Sequence, residues 1–138
     1  MLLRTFLLAL PLALIVGGSE VRAEEENPIV TLVRSKLKDP AKPFAMVVTF
    51  KVKAGQEQAF EEAFAPCIVA TRKSPGCLAY DLNREVDDSS AYTVYEKYSN
   101  LKALEDHARA PHVVKLLGAI PTLIDGEPSV RVYSVAGE

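Results

Sequence analysis

A few side chains in this sequence have types and spacings that suit proton chemistry: His107 and His112, the carboxylate Glu96, and the tyrosines Tyr98 and Tyr80. An imidazole titrates near 6.5, so small changes in its surroundings set it on either side of neutrality and let it serve as a base or as a donor. His107 follows Ala103 by four residues and Leu104 by three, which places it at the edge of an apolar helical stripe. A histidine that only caps or hydrogen-bonds within the fold fits the same position. Glu96 alternates with Tyr92, Val94 and Tyr98, so its carboxylate belongs to an apolar row and needs a partner there. It either orients His107 or forms a structural ion pair with Arg84, Lys97 or Arg131. Tyr98 and Tyr80 can donate to a substrate oxygen, or pack with a wet tip as strand tyrosines commonly do.

Metal and thiol chemistry find less support. His107 and His112 are five residues apart with Pro111 between them, whereas a helical zinc pair is separated by four and joined by a third ligand, so no metal site is expected. Cys67 and Cys77 can be thiols, a disulfide, or two small buried apolar residues, and sulfur geometry decides among these. Neither has the companion histidine and acid of a cysteine nucleophile.

The elements that must position these residues follow from periodicity. Asn27 and Pro28 open a short helix with an apolar stripe of Ile29, Val30, Val33 and Leu37, and the proline-flanked run from Lys38 to Pro43 ends it as a linker. Phe44 to Val52 alternates as a strand, with Met46, Val48, Phe50 and Val52 on one face, and its other face is also apolar at the start. After Gly55, Phe60, Ala63, Phe64, Cys67, Ile68 and Thr71 fall at helical offsets, with acids early and Arg72 and Lys73 late. Pro66 removes one donor from that helix. Cys77 to Arg84, with Leu78, Tyr80 and Leu82 on one side, and Ala91 to Tyr98 form a hairpin about a turn at Asp87 to Ser90. Ser99 or Asn100 caps the next helix, and Pro111 starts another that Pro121 ends. Ser129 to Val135 is the last strand.

This order is the split β-α-β pattern of an α+β, ferredoxin-like fold: a four-stranded antiparallel sheet backed by helices. Helices cover one face of such a sheet, yet the first strand is apolar on both. A homodimer with sheet packed on sheet is therefore expected.

The first residues carry Arg4, an apolar run from Phe6 to Val16, then Gly17, Gly18 and Ser19 and the tripeptide Val21-Arg22-Ala23, the order of a secretory signal peptide. The run is about half the roughly 20 residues of a membrane span. The expected organisation is a signal peptide over residues 1–23, a helical segment and linker over 24–43, and one domain over 44–136, exported to the periplasm or medium and without a membrane anchor after cleavage. No cysteine precedes Cys67, so a lipid-modified amino terminus has no candidate. Arg4, Arg22 and Glu20 leave with the signal, so 14 basic and 17 acidic side chains remain among 115 residues, a net −3. That balance gives no general attraction for phosphate backbones, and the basic and aromatic stacking motif of RNA-binding sheets is missing. No nucleic-acid partner is expected.

From about Phe44 to Val135 the sequence resembles the antibiotic biosynthesis monooxygenase family. Four stretches carry the likeness: Phe50-Lys51-Val52-Lys53-Ala54-Gly55; Ala70-Thr71-Arg72-Lys73-Ser74-Pro75-Gly76-Cys77-Leu78-Ala79-Tyr80-Asp81; Tyr95-Glu96-Lys97-Tyr98; and His107-Ala108-Arg109-Ala110-Pro111-His112. The resemblance implies a small dimeric α+β barrel with a pocket in each subunit between helices and sheet. There some relatives oxidise quinols or anthrone-like polyphenols with molecular oxygen and no metal or flavin. Others bind and open haem, and many have no established activity. The third-strand motif usually ends in tryptophan, here Tyr98, and the haem-degrading branch has an asparagine where this chain has Val48. Both departures point away from haem. The resulting expectation is a monooxygenase without a cofactor, acting on a small aromatic, quinol-type compound, with His107 as base or donor, Glu96 as its orienter and Tyr98 as a pocket wall. The alternative is a non-catalytic module of the same fold that holds a small ligand, haem included, or a partner protein.

Overall fold

A computed structural model describes residues 26–137, and the signal peptide expected over residues 1–23 lies outside them. The chain runs α1 (Pro28–Lys36), β1 (Phe44–Lys51), α2 (Glu57–Arg72), β2 (Cys77–Arg84), β3 (Ala91–Tyr98), α3 (Leu101–Arg109), α4 (Pro111–Leu123) and β4 (Ser129–Ser134). The strands form one antiparallel sheet in the order β2-β3-β1-β4, the α+β, ferredoxin-like arrangement that the element order predicts. Among the described residues no helix is long and apolar enough to cross a membrane.

Local chemistry sets the boundaries. Asn27 Oδ1 accepts from the Ile29 amide at 2.9 Å, with Pro28 at the first helical position. Asn100 rather than Ser99 caps α3, accepting from the Ala103 amide at 2.9 Å. Asp88 Oδ1 accepts from the Ser90 amide and hydroxyl, which closes the β2–β3 turn.

Two expectations are corrected. Pro121 does not end α4, which continues to Leu123. In the last turn its missing N–H removes a single intrahelical bond, so the helix tolerates it there. Leu78 does not share the buried side of β2 with Tyr80. A register shift between Cys77 and Ala79 inserts one extra residue, setting Cys77 opposite Tyr98 and leaving Leu78 54% exposed while Tyr80 is buried.

The helices cover one face of the sheet. Phe50 and Tyr92 from neighbouring strands meet Phe60 and Phe64 of α2, with ring centroids 4.8 Å apart for Phe60 and Phe64 and 4.9 Å for Phe60 and Tyr92. Each such burial is worth about 1.5–3 kcal/mol. On the opposite face Val47 lies between Tyr95 and Arg131, and Ala45 between Lys97 and Tyr133. Tyr95 and Tyr133 remain exposed there.

Candidate active site

Strand register builds one polar cluster inside the apolar layer. Glu96 on β3 is flanked by Met46 of β1 and Tyr80 of β2, and Tyr98 is flanked by Phe44 and Cys77. The alternation of β3 that buries Tyr92, Val94 and Tyr98 buries Glu96 with them. From above, α3 brings His107 down between the tyrosines, its ring centroid 5.4 Å from that of Tyr98 and 5.5 Å from that of Tyr80. The structure thus brings Glu96, Tyr98 and His107 together.

Their bonds differ from the expected ones. Glu96 Oε2 accepts from the Tyr98 hydroxyl at 2.6 Å, whereas His107 Nε2 lies 3.9 Å from the same oxygen, outside hydrogen-bond reach. His107 Nδ1 is buried and has no hydrogen-bond partner among the described residues. None of the basic residues considered as partners reaches Glu96. Arg84 pairs with Glu61 at 3.2 Å, while Lys97 and Arg131 stand opposite Ala45 and Val47 on the other face of the sheet.

Electrostatics follow from burial. Desolvation raises the Glu96 carboxyl to about 7 even though the Tyr98 hydrogen bond pulls it down. Desolvation, reinforced by nearby His112, lowers His107 to about 4. The close approach of the two groups is therefore not an ion pair. Between these values both are neutral, and above about 7 a carboxylate faces a neutral imidazole. Burial also pushes the Tyr80 and Tyr98 phenols well above their usual range, which keeps both as donors.

The cluster opens onto an apolar cavity walled by Met46, Val48, Phe64 and Leu104, with Glu96, His107 and Tyr80 at its polar side. Tyr98 is not one of its walls. It stands behind Glu96, where the bulge places it against Cys77, and Tyr80 occupies the wall instead. Val48, at the position filled by asparagine in the haem-degrading branch, is a buried wall residue. The free space is about 50 Å³. Ile29 and Val30 of α1 close one side of it, a contribution the sequence left unassigned because an apolar stripe does not name its partner.

A second chain of contacts runs outward from Tyr80. Its hydroxyl lies 3.8 Å from Cys67 Sγ, which lies 3.7 Å from Thr71 Oγ1, which lies 3.2 Å from His112 Nε2. Cys67 and Cys77 are both free, with Cys77 Sγ directed to the Ala79 carbonyl, and burial raises both thiols. Among the described residues no group of three or more His, Cys, Asp or Glu side chains is arranged to hold a metal ion. One signal for Tyr80 was available in the sequence: a hairpin folded about Asp88 places residue 80 opposite residue 96.

Comparisons with known proteins agree with this architecture. The Mycobacterium tuberculosis protein named "Putative monooxygenase Rv0793" is 26% identical over 96 residues, spanning 70% of this chain and 94% of that one. Its solved structure superposes with a TM-score of 0.66 at 25% identity, covering 70% of this chain and 98% of its own. A Caulobacter crescentus structure gives 0.64 at 25% identity over 71% and 93% of the two chains. One from Nitrosomonas europaea gives 0.68 at 20% over 73% and 97%, a likeness of fold alone. The sequence profile described as antibiotic biosynthesis monooxygenase matches residues 43–117, more than half of the chain, and the chain belongs to that family.

Proposed function

We propose that this protein is a monooxygenase needing no cofactor, which oxidises a small aromatic, quinol-type compound with molecular oxygen. The observation that carries this reading is buried Glu96, held from behind by the Tyr98 hydroxyl, beside His107 at the polar side of an apolar cavity. A base near neutrality suits the removal of a phenolic proton, and Glu96, raised to about 7, meets that need better than His107, lowered to about 4. Glu96 then takes the substrate proton, the Tyr98 hydroxyl steadies the carboxylate, and neutral His107 donates to the developing phenolate oxygen. The deprotonated ring supplies the electrons. Overall, quinol plus O₂ gives hydroxyquinone plus water, with one oxygen atom in the product, the other in water, and no outside reductant.

The protein is further proposed to act after export and as a dimer closed over the open face of the sheet, where Val47 and Ala45 lie among Tyr95 and Tyr133. Oxygen uptake over a panel of hydroquinones tests the activity. The expected result is uptake above spontaneous oxidation, falling at least tenfold in Glu96→Gln and in His107→Ala. Saturable ligand binding without turnover would instead support a non-catalytic binding module.

A further inference from the structure

The cavity beside Glu96 and His107 is too small for the ligands just proposed. Its free space is about 50 Å³, whereas an apolar protein cavity that accepts one benzene measures about 150 Å³. A wall must move before an aromatic ring can reach the carboxylate. Most walls are poorly suited to this. Met46 and Val48 belong to the central strand β1, hydrogen-bonded on both sides, and Phe64 belongs to a 16-residue helix.

Leu104 and His107 of α3 and Leu116 and Ile120 of α4 also line it, and α4 is packed against α2. The wall that α1 forms differs in kind. It has nine residues, too few for a helix to persist without its packing, and it precedes residue 43, where the family match begins. Ile29 and Val30 point its apolar side into the cavity. Among the described residues the polar ties from α1 and its linker to α3 are few, and the side-chain ones lie at the surface. Arg34 Nη2 meets Glu105 Oε1 at 2.6 Å, its guanidinium is held in place by Glu26 with Nη1 to Oε2 at 2.7 Å, and the Leu101 amide donates to the Pro40 carbonyl at 2.9 Å.

We propose that α1 is a movable roof, clasped to α3 through Arg34 and Glu105, which must lift to admit planar one-ring or fused two-ring hydroxyaromatic ligands to the pocket. The proposal rests on the pocket reading above and adds to it a gate that selects on size and controls entry. While the roof is closed, apparent affinity and association rate are reduced by the fraction of molecules that are open. Loosening the clasp raises that fraction.

The test is stopped-flow and equilibrium fluorescence titration of the full chain with 2-naphthol, a probe that needs no turnover. Arg34→Ala should bind about fivefold faster and correspondingly tighter than the unmodified protein, the size of effect that exposed ion pairs support. Glu105→Gln, nearly isosteric and on the other side of the clasp, should reproduce the effect if the arginine variant folds poorly. Lys102→Ala, which removes an α3 ion pair to Asp106 that does not involve α1, should leave the rates unchanged. Amides of α1 should exchange hydrogen faster in the naphthol complex than in the free protein. Equal rates in the unmodified protein and both clasp variants would overturn the roof and leave the pocket intact. No fluorescence change in any form would overturn the pocket reading, and the roof with it.

Discussion

The hydroxyl of Tyr98 donates to Oε2 of Glu96 at 2.6 Å, two residues away on the same strand face. Among the described residues it is the one group that pulls the Glu96 carboxyl down against the rise caused by burial. Tyr98 therefore meets the cavity only through Glu96, from behind it and not as part of its wall. The phenol and the carboxyl form a unit whose protonation changes near neutrality, with His107 opposite it as a neutral donor.

Removing that donor should show in both ionisation and stability. Tyr98→Phe is expected to move the Glu96 midpoint above about 7 and to cost about 1–3 kcal/mol where the carboxylate is ionised. Urea unfolding at pH 8.5 should show the larger loss and at pH 5.5 the smaller one. An equal loss at both would assign Tyr98 a packing role alone.

Glu96 and His107 also give opposing dependences of stability on pH. Glu96 is raised from 4.5 to about 7, so the folded state holds its proton more tightly, and the stability this confers at low pH is lost as pH rises from about 4.5 through 7. His107 is lowered from 6.5 to about 4, so its contribution is present above about 6.5 and is lost as pH falls toward 4. The two slopes nearly cancel between about 4.5 and 6.5. In Glu96→Gln only the histidine slope remains, and its stability relative to the parent should climb by about 3 kcal/mol between pH 4.5 and 7.5. A difference that stays flat across this range would mean that Glu96 titrates as an ordinary carboxyl.

Much of this site was legible in the sequence, because period two on β3 puts Glu96 and Tyr98 in a buried row and period 3.6 on α3 puts His107 beneath the helix. Two features were not. The bulge at Cys77 and Ala79 replaces strict alternation with a local register shift, and no residue type marks it. The Val30 and Val33 stripe announced a buried face on α1 without saying against what, since hydrophobic burial carries no direction of its own. The ion pairs considered for Glu96 failed for a readable reason: Lys97 has the opposite parity on the same strand.

Gly76 holds the approach of α3, the helix that carries His107. Its φ is 84°, a conformation that favours glycine, and a Cβ added there would meet Ala103 Cβ at 2.6 Å and Ser99 Oγ at 3.0 Å. Gly76→Ala is expected to cost about 2–3 kcal/mol from strain and overpacking combined. Adding Ala103→Gly should recover the part due to the clash and leave the part due to φ. Chemical denaturation of the single and double variants measures both, and a Gly76→Ala protein as stable as the parent would rule out the tight helix approach.

The open face of the sheet bears on the proposed dimer. Val47 sits in register between Tyr95 and Arg131, and its side chain lies on the face away from the helices, so a change there leaves the core undisturbed. Val47→Lys would place an ammonium beside Arg131 in the middle of a sheet-to-sheet contact, adding like-charge repulsion to the cost of desolvating an unpaired charge. Dimer affinity should weaken by about a hundredfold or more, while the monomer keeps its unfolding midpoint to within a few degrees. Sedimentation velocity over a concentration series distinguishes the outcomes. A parent that sediments as a dimer and a variant that sediments as a folded monomer place the interface on this face. A parent that stays monomeric at the highest concentration, or a variant that dimerises as well as the parent, means that Tyr95 and Tyr133 face solvent or a different partner.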